Sequence, residues 1–254
     1  MPSQLPAAAG APGLGLDEVA EATDRLLETV DGLADGDLRE PSLLPGWTRA
    51  HVLTHIARNA DGMVNLATWA RTGQETPMYA GGRAGREAGI QAGVDRHIGD
   101  IRLDLSDSAD RLLAAFADFP AEALFREVAF SSGATATGGE LPLLRVREVQ
   151  IHHVDLGVGF TPAHWPERFV HRTLDQLATF FRAERECPVS RLQATDTDRS
   201  WEVAVEGPVL RGPATALLAW LTGRSAGDGL RLSTADGADS IEATEPVPPA
   251  PRWG

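Results

Sequence analysis

Thr48-Arg49-Ala50-His51-Val52-Leu53-Thr54-His55-Ile56-Ala57-Arg58-Asn59-Ala60 is the stretch on which the reading of the first half turns. Thr48 stands where a helix N-cap belongs, and Val52, Ile56, Ala60, Met63 and Ala67 then recur at the spacing of one helix face. Working outward, Val19, Leu26, Val30 and Leu33 predict an earlier amphipathic helix over 17–33. A loop with Pro41 and the Pro45-Gly46 turn separates the two. Downstream, 73–85 reads as loop. Ile90, Val94, Ile98, Ile101, Leu105, Leu112 and Phe116 then predict one long helix from about 86 to 118. A brief strand-like alternation with Gly-rich turns fills 125–139, and a fourth helix is expected over about 141–158. Four amphipathic helices with a long excursion before the last make a four-helix bundle.

The composition changes after Gly159. Pro162 and Pro166 mark a linker, 169–181 reads as helix, and 189–195 and 200–205 alternate like paired strands. A short helix over 214–222, a strand over 229–233 and a Pro-rich tail complete a small α+β domain. The expected organisation is a flexible leader 1–16, a bundle domain 17–160 and an α+β domain 161–254, without internal repeats.

Composition narrows the chemistry. The chain has 254 residues, 36 acidic and 23 basic, for a net charge of −13. A surface this acidic argues against nucleic acid and anionic membranes as partners. No apolar run approaches the roughly 18 to 20 residues that span a bilayer. Residues 1–15 lack the basic n-region of a secretion signal, so the expected compartment is the cytoplasm. All basic residues are arginine, which excludes lysine Schiff bases and a Walker-type loop. The one cysteine, Cys187, supports neither a disulfide within the chain nor a Cys-based zinc site. Any metal must be held by histidine and carboxylate.

Two short motifs offer such ligands. His51 and His55 lie one turn apart on the second helix, and Glu148 and His152 lie one turn apart on the fourth. Residues four apart share a helix face with Cβ atoms about 5–6 Å from each other, so a pair can reach one ion. Either motif alone also arises by chance on a solvated face. Together, inside a bundle, two histidines and one glutamate with a position left open suit catalytic zinc. His51, His97, His153, His164 and His171 read as surface or hydrogen-bonded residues. Asp155, three residues after His152, is placed to orient that imidazole or simply to end the helix.

The sequence 44–60 (Leu44-Pro45-Gly46-Trp47 leading into the helix quoted above) resembles the N-terminal domain of mycothiol-dependent maleylpyruvate isomerases. So do Glu75-Thr76-Pro77-Met78-Tyr79 and Arg147-Glu148-Val149-Gln150-Ile151-His152-His153-Val154-Asp155-Leu156-Gly157. The Thr222-Gly223-Arg224 turn and the ending Pro251-Arg252-Trp253 look like that family's C-terminal domain. The bundle motif is shared with the wider DinB-like superfamily of thiol transferases. The resemblance implies zinc bound by His55, Glu148 and His152, with His51 not a ligand. It implies a catalytic Arg224 from the second domain, at a cleft between domains; the ordinary alternative is a helix C-terminal arginine favoured by the helix dipole. Arg86, Trp47 and Asn59 are further candidates for lining the thiol pocket, with core or surface roles as alternatives.

The implied reaction turns maleylpyruvate into fumarylpyruvate in gentisate-type aromatic degradation. A cis double bond must lose its double-bond character before it can rotate, and a thiolate does this by adding and leaving again. Cys187 lies away from the metal motifs, so the thiol is expected from outside, as mycothiol. Coordination to zinc favours the thiolate. Arg224 would pair with a substrate carboxylate or the developing enolate. Two other readings use the same residues: a zinc- and mycothiol-dependent S-transferase that keeps its adduct, and a non-catalytic module whose metal sphere is closed, with His51 completing it. The expected partners are a small-molecule substrate and a low-molecular-weight thiol, acting on a monomer.

Overall fold

Val19, Leu26 and Val30 form the buried stripe of α1 (Leu16–Asp31), the first helix of the computed structural model, which describes residues 15–184, 186–233 and 246–251. The expected leader lies outside these residues except for its last two. A single turn, α2 (Asp35–Leu38), precedes α3 (Arg49–Thr72), and Thr48 occupies the N-cap of α3 in extended conformation. Then follow α4 (Gly82–Gln91), α5 (Ile98–Ala117), a hairpin of β1 (Glu127–Ala129) with β2 (Thr135–Thr137), and α6 (Leu141–Asp155). Helices α1 and α3 each pack against both α5 and α6, which closes the four-helix bundle.

The single long helix expected over 86–118 is two helices. Gly93 lies so close to α3 that a Cβ there would sit 2.4 Å from Thr54 Cγ2, and the chain turns at this point. Asp35 then caps the restart: its carboxylate accepts the Ile98 N–H at 2.7 Å and contacts His97 Nδ1 at 3.0 Å. Ile90 and Ile101 are buried on either side of the break, with Val94 and Ile98 packed against the core between them, so the apolar spacing runs through it. The segment read as loop over 73–85 already turns helical at Gly82. Helix α6 stops at Asp155, short of 158, because Gly157 takes φ +67° in the left-handed region and ends it.

The bundle core forms two apolar clusters. One holds Leu26, Val30, Leu53, Ile56, Ala57, Ile101, Leu105 and Val149; the other holds Ala60, Met63, Leu66, Leu112, Phe116, Leu141 and Leu144. Along α3 the change comes between Ala57 and Ala60, and along α6 between Leu144 and Val149. A polar layer occupies that gap.

The chain divides into two units between Phe160 and Thr161. In the second, α7 (Glu167–Glu184) and α8 (Ala214–Leu221) accompany β3 (Arg191–Ala194), β4 (Ser200–Glu202), β5 (Val209–Gly212) and β6 (Arg231–Ser233). The sheet order is β4-β3-β5-β6, with β3 and β5 parallel and the other pairs antiparallel. The pairing of β3 with β4 follows the alternation read in the sequence. Strand β5 has no counterpart in the sequence reading: Gly207-Pro208 before it and Pro213 after it bound a run of only four residues. The segment read as linker includes a 3-10 turn, Pro162–His164. In the tail, Pro248 O accepts the Trp220 indole N–H at 2.8 Å.

Candidate metal centre

The loop before α3 is fastened at both ends. Leu43 N–H donates to Asp155 O at 2.8 Å, Arg49 Nε–H donates to Leu156 O at 3.1 Å, and Ser42 N–H donates to Trp47 O at 2.9 Å. These bonds tie the start of α3 to the end of α6. Thr48 N–H donates to His51 Nδ1 at 3.2 Å, so the His51 acceptor nitrogen serves as a helix cap. Among the described residues the metal-capable cluster comprises His55, Glu148 and His152, without His51. A coordination sphere closed by His51 therefore has no support here.

His55 is buried on α3, and Glu148 and His152 are half-buried one turn apart on α6. His55 Nε2 lies 3.1 Å from His152 Nε2 and 3.3 Å from Glu148 Oε2, and the remaining pair is 3.7 Å apart. Zinc bonds of about 2.0–2.1 Å in a tetrahedron put donor atoms about 3.3 Å from one another. The three atoms thus already span one tetrahedral face, and the donor set fits a divalent ion with a further position open.

Protonation follows from the partners. Asp155, 1% exposed, accepts His152 Nδ1–H at 2.8 Å, which leaves the Nε2 lone pair facing the centre. Arg86 only donates hydrogen bonds, and its Nη2 lies 3.2 Å from His55 Nδ1. In this arrangement His55 therefore carries its proton on Nε2 and donates towards His152, and an entering cation takes that proton's place. Burial pushes the His55 pKa down to about 4, against a partial rise from the hydrogen bond to Glu148. Burial would raise the Glu148 pKa, but the hydrogen bond with His55 and the neighbouring His152 outweigh it and hold the carboxyl ionised, well below its usual range. A neutral His55 and an ionised Glu148 are the protonation states that a metal needs.

The other anticipated residues take definite places. Trp47 meets His55 edge-on with ring centroids 5.6 Å apart, and the Arg86 guanidinium sits 5.8 Å over the Trp47 ring. Asn59 is buried, its Nδ2 donating to Glu148 Oε2 at 3.2 Å and its Oδ1 accepting Arg145 Nη1–H at 2.8 Å. Arg224 lies in the second unit, at the end of α8. Gly223, with φ +72°, and the Arg224 N–H to Ala219 O bond of 2.7 Å form a Schellman turn, and Arg224 Nη1 donates to Thr222 O. The sequence reading assigns no role to two further residues. Tyr79 packs on Gly62, and burial, with Glu148 nearby, raises its phenol pKa. Arg145 is buried three residues before Glu148 on the same face of α6; that spacing was the available signal.

Residues 19–157 match the model of the mycothiol maleylpyruvate isomerase N-terminal domain, and residues 162–242 match that family's C-terminal domain. A crystal structure of a mycothiol-dependent maleylpyruvate isomerase superposes with a TM-score of 0.81 at 28% identity, covering 94% of this chain and 95% of the other. A histidine-to-alanine mutant of a mycothiol-dependent maleylpyruvate isomerase also has a TM-score of 0.81, at 27% identity and the same coverage. No curated protein sequence matches the chain significantly.

Proposed function

The chain belongs to the mycothiol maleylpyruvate isomerase family, and we propose that it converts maleylpyruvate to fumarylpyruvate at the His55–Glu148–His152 centre, using zinc and mycothiol. The observation that carries this reading is the triangle of donor atoms, 3.1, 3.3 and 3.7 Å on its sides, inside the region that matches the family's N-terminal domain. When bound, zinc and mycothiol would together supply a thiolate able to add reversibly to the conjugated alkene, so that the former double bond can turn.

The chain's own residues supply the rest. His55, Glu148 and His152 hold the ion, and Asp155 keeps the His152 ring turned towards it. Arg86, half-buried beside His55 and stacked over Trp47, offers a cation to an anionic group of thiol or substrate. Arg224 is assigned to a substrate carboxylate. Cys187 is buried and its thiol pKa is raised by that burial, which disfavours the thiolate and supports a thiol from outside. No described helix is long and apolar enough to cross a membrane. The reading places the reaction in the cytoplasm, in aromatic degradation of the gentisate type, on a monomer.

Ultraviolet monitoring of maleylpyruvate with zinc-loaded protein tests the proposal. Fumarylpyruvate should form rapidly with mycothiol and not without it. A stable thioether product would turn the assignment to an S-transferase, and no turnover despite bound zinc would overturn it. Arg224→Ala should lower kcat/KM roughly tenfold to a hundredfold, the worth of a charge-assisted contact, with zinc affinity unchanged.

A further inference from the structure

The polar layer between the two apolar clusters contains more than metal ligands. Arg145 is 1% exposed, and its Nη1 donates both to Ile56 O at 2.9 Å and to Asn59 Oδ1 at 2.8 Å. Asn59, 4% exposed, donates from Nδ2 to Glu148 Oε2 at 3.2 Å. Arginine has no acceptor and a carboxylate has no donor, so the amide can face only one way. Arg145 thereby decides that the NH2 end of Asn59 points at Glu148.

The oxygen it reaches is the one aimed at His55 and His152. A glutamate has three rotatable bonds, and its terminal torsion is soft. The side chain of Glu148 is 31% exposed, so packing alone does not hold its carboxylate. One lone pair of Oε2 taken by Asn59 leaves the other for an ion.

We propose that Arg145 and Asn59 are positioning residues: a buried relay, Arg145 to Asn59 to Glu148, that fixes the carboxylate as a one-oxygen metal ligand. Neither residue touches the ion or the substrate. This gives Asn59 a different part from lining the thiol pocket, since both ends of its amide are engaged. The relay also places an anion, Glu148, one amide away from the buried Arg145 cation, whose Nε has no hydrogen-bond partner among the described residues. The inference rests on the metal reading of the three ligands, and its test separates the two.

Zinc affinity, read by competition with a chromophoric chelator well below the melting temperature, is the measurement. Wild type, Asn59→Ala, Arg145→Met, Arg145→Lys and the Asn59→Ala/Arg145→Met double variant are compared. Both single neutral variants should bind zinc roughly 10- to 100-fold more weakly, the usual effect of removing a ligand's supporting partner. The double variant should be no weaker than the worse single one, because the two act in series. Arg145→Lys, which keeps a donor, should recover part of the loss. A purely structural Arg145 would lower the melting temperature and leave zinc affinity alone. Unchanged or tighter binding in Arg145→Met, as simple repulsion between two cations would give, overturns the relay. If Arg145→Met does not fold, Asn59→Ala decides alone: weaker binding supports the relay and unchanged binding overturns it. A wild type that binds no zinc would instead remove the metal reading itself.

Discussion

Helices α1 and α6 lie side by side in the bundle and bury themselves in different ways. Helix α1 fully hides one stripe, Val19, Ala22, Thr23, Leu26 and Val30, and its other residues are half-buried or exposed. Helix α6 hides Leu144, Arg145, Val146, Val149, Gln150, Ile151, His153, Val154 and Asp155, which lie nearly all around it. A one-sided helix can leave its polar residues in water. A helix buried on several sides must pair the polar residues it keeps, because each unpaired group would cost several kcal/mol. In α6 those pairs include the candidate centre and its supports, and also the contact of buried His153 Nε2 with Thr29 Oγ1 of α1 at 2.8 Å.

Substitutions should separate the two helices. His55→Ala, on the neighbouring α3 that α6 faces, should bring zinc binding and isomerisation below detection together, measured by metal content and ultraviolet assay. Leu26→Ala on α1 should cost about 3 kcal/mol of stability through the cavity it leaves, while zinc affinity stays that of wild type. A parallel fall in zinc affinity there would erase the contrast. Acid should act on the layer and not on the stripe. The His55 pKa of about 4 in the folded, metal-free protein lies below the ordinary 6.5, so the unfolded chain takes the proton first. Its contribution is full above pH 6.5 and is lost as pH falls towards 4, up to about 3 kcal/mol. Melting curves of metal-free wild type and His55→Gln across this range should converge at low pH. The mildest change is Asp155→Asn, which should weaken zinc about tenfold by loosening the His152 ring, with little loss of melting temperature.

How much could be read in advance differs between these helices for the same reason. The stripe of α1 repeats at helical spacing, so its inner face is visible in the order of residues. On α6 the i, i+4 pair Glu148 and His152 was equally legible, since both side chains hang from one helix. Arg145 sat in the same stripe and went unread, because an arginine on a helix is ordinarily solvated. The break between α4 and α5 was hidden by Ile90, Val94, Ile98 and Ile101, which keep their apolar spacing across it. Strand β5 was hidden by the glycines and prolines at its ends.

The sequence by itself determined where the helices run, which histidines and carboxylates share a turn, and the absence of lysine and of a second cysteine. It also carried the family resemblance, in motifs that lie along single stretches of chain. Only the tertiary structure decided that His51 caps a helix while His55 enters the cluster, that Asp35 caps the helix starting at Ile98, and that Asn59 bridges Arg145 to Glu148. Spacing along one helix sets the direction of a Cβ. Which side chains meet across two helices depends on how far one is slid and turned against the other, and that offset comes from packing the whole bundle.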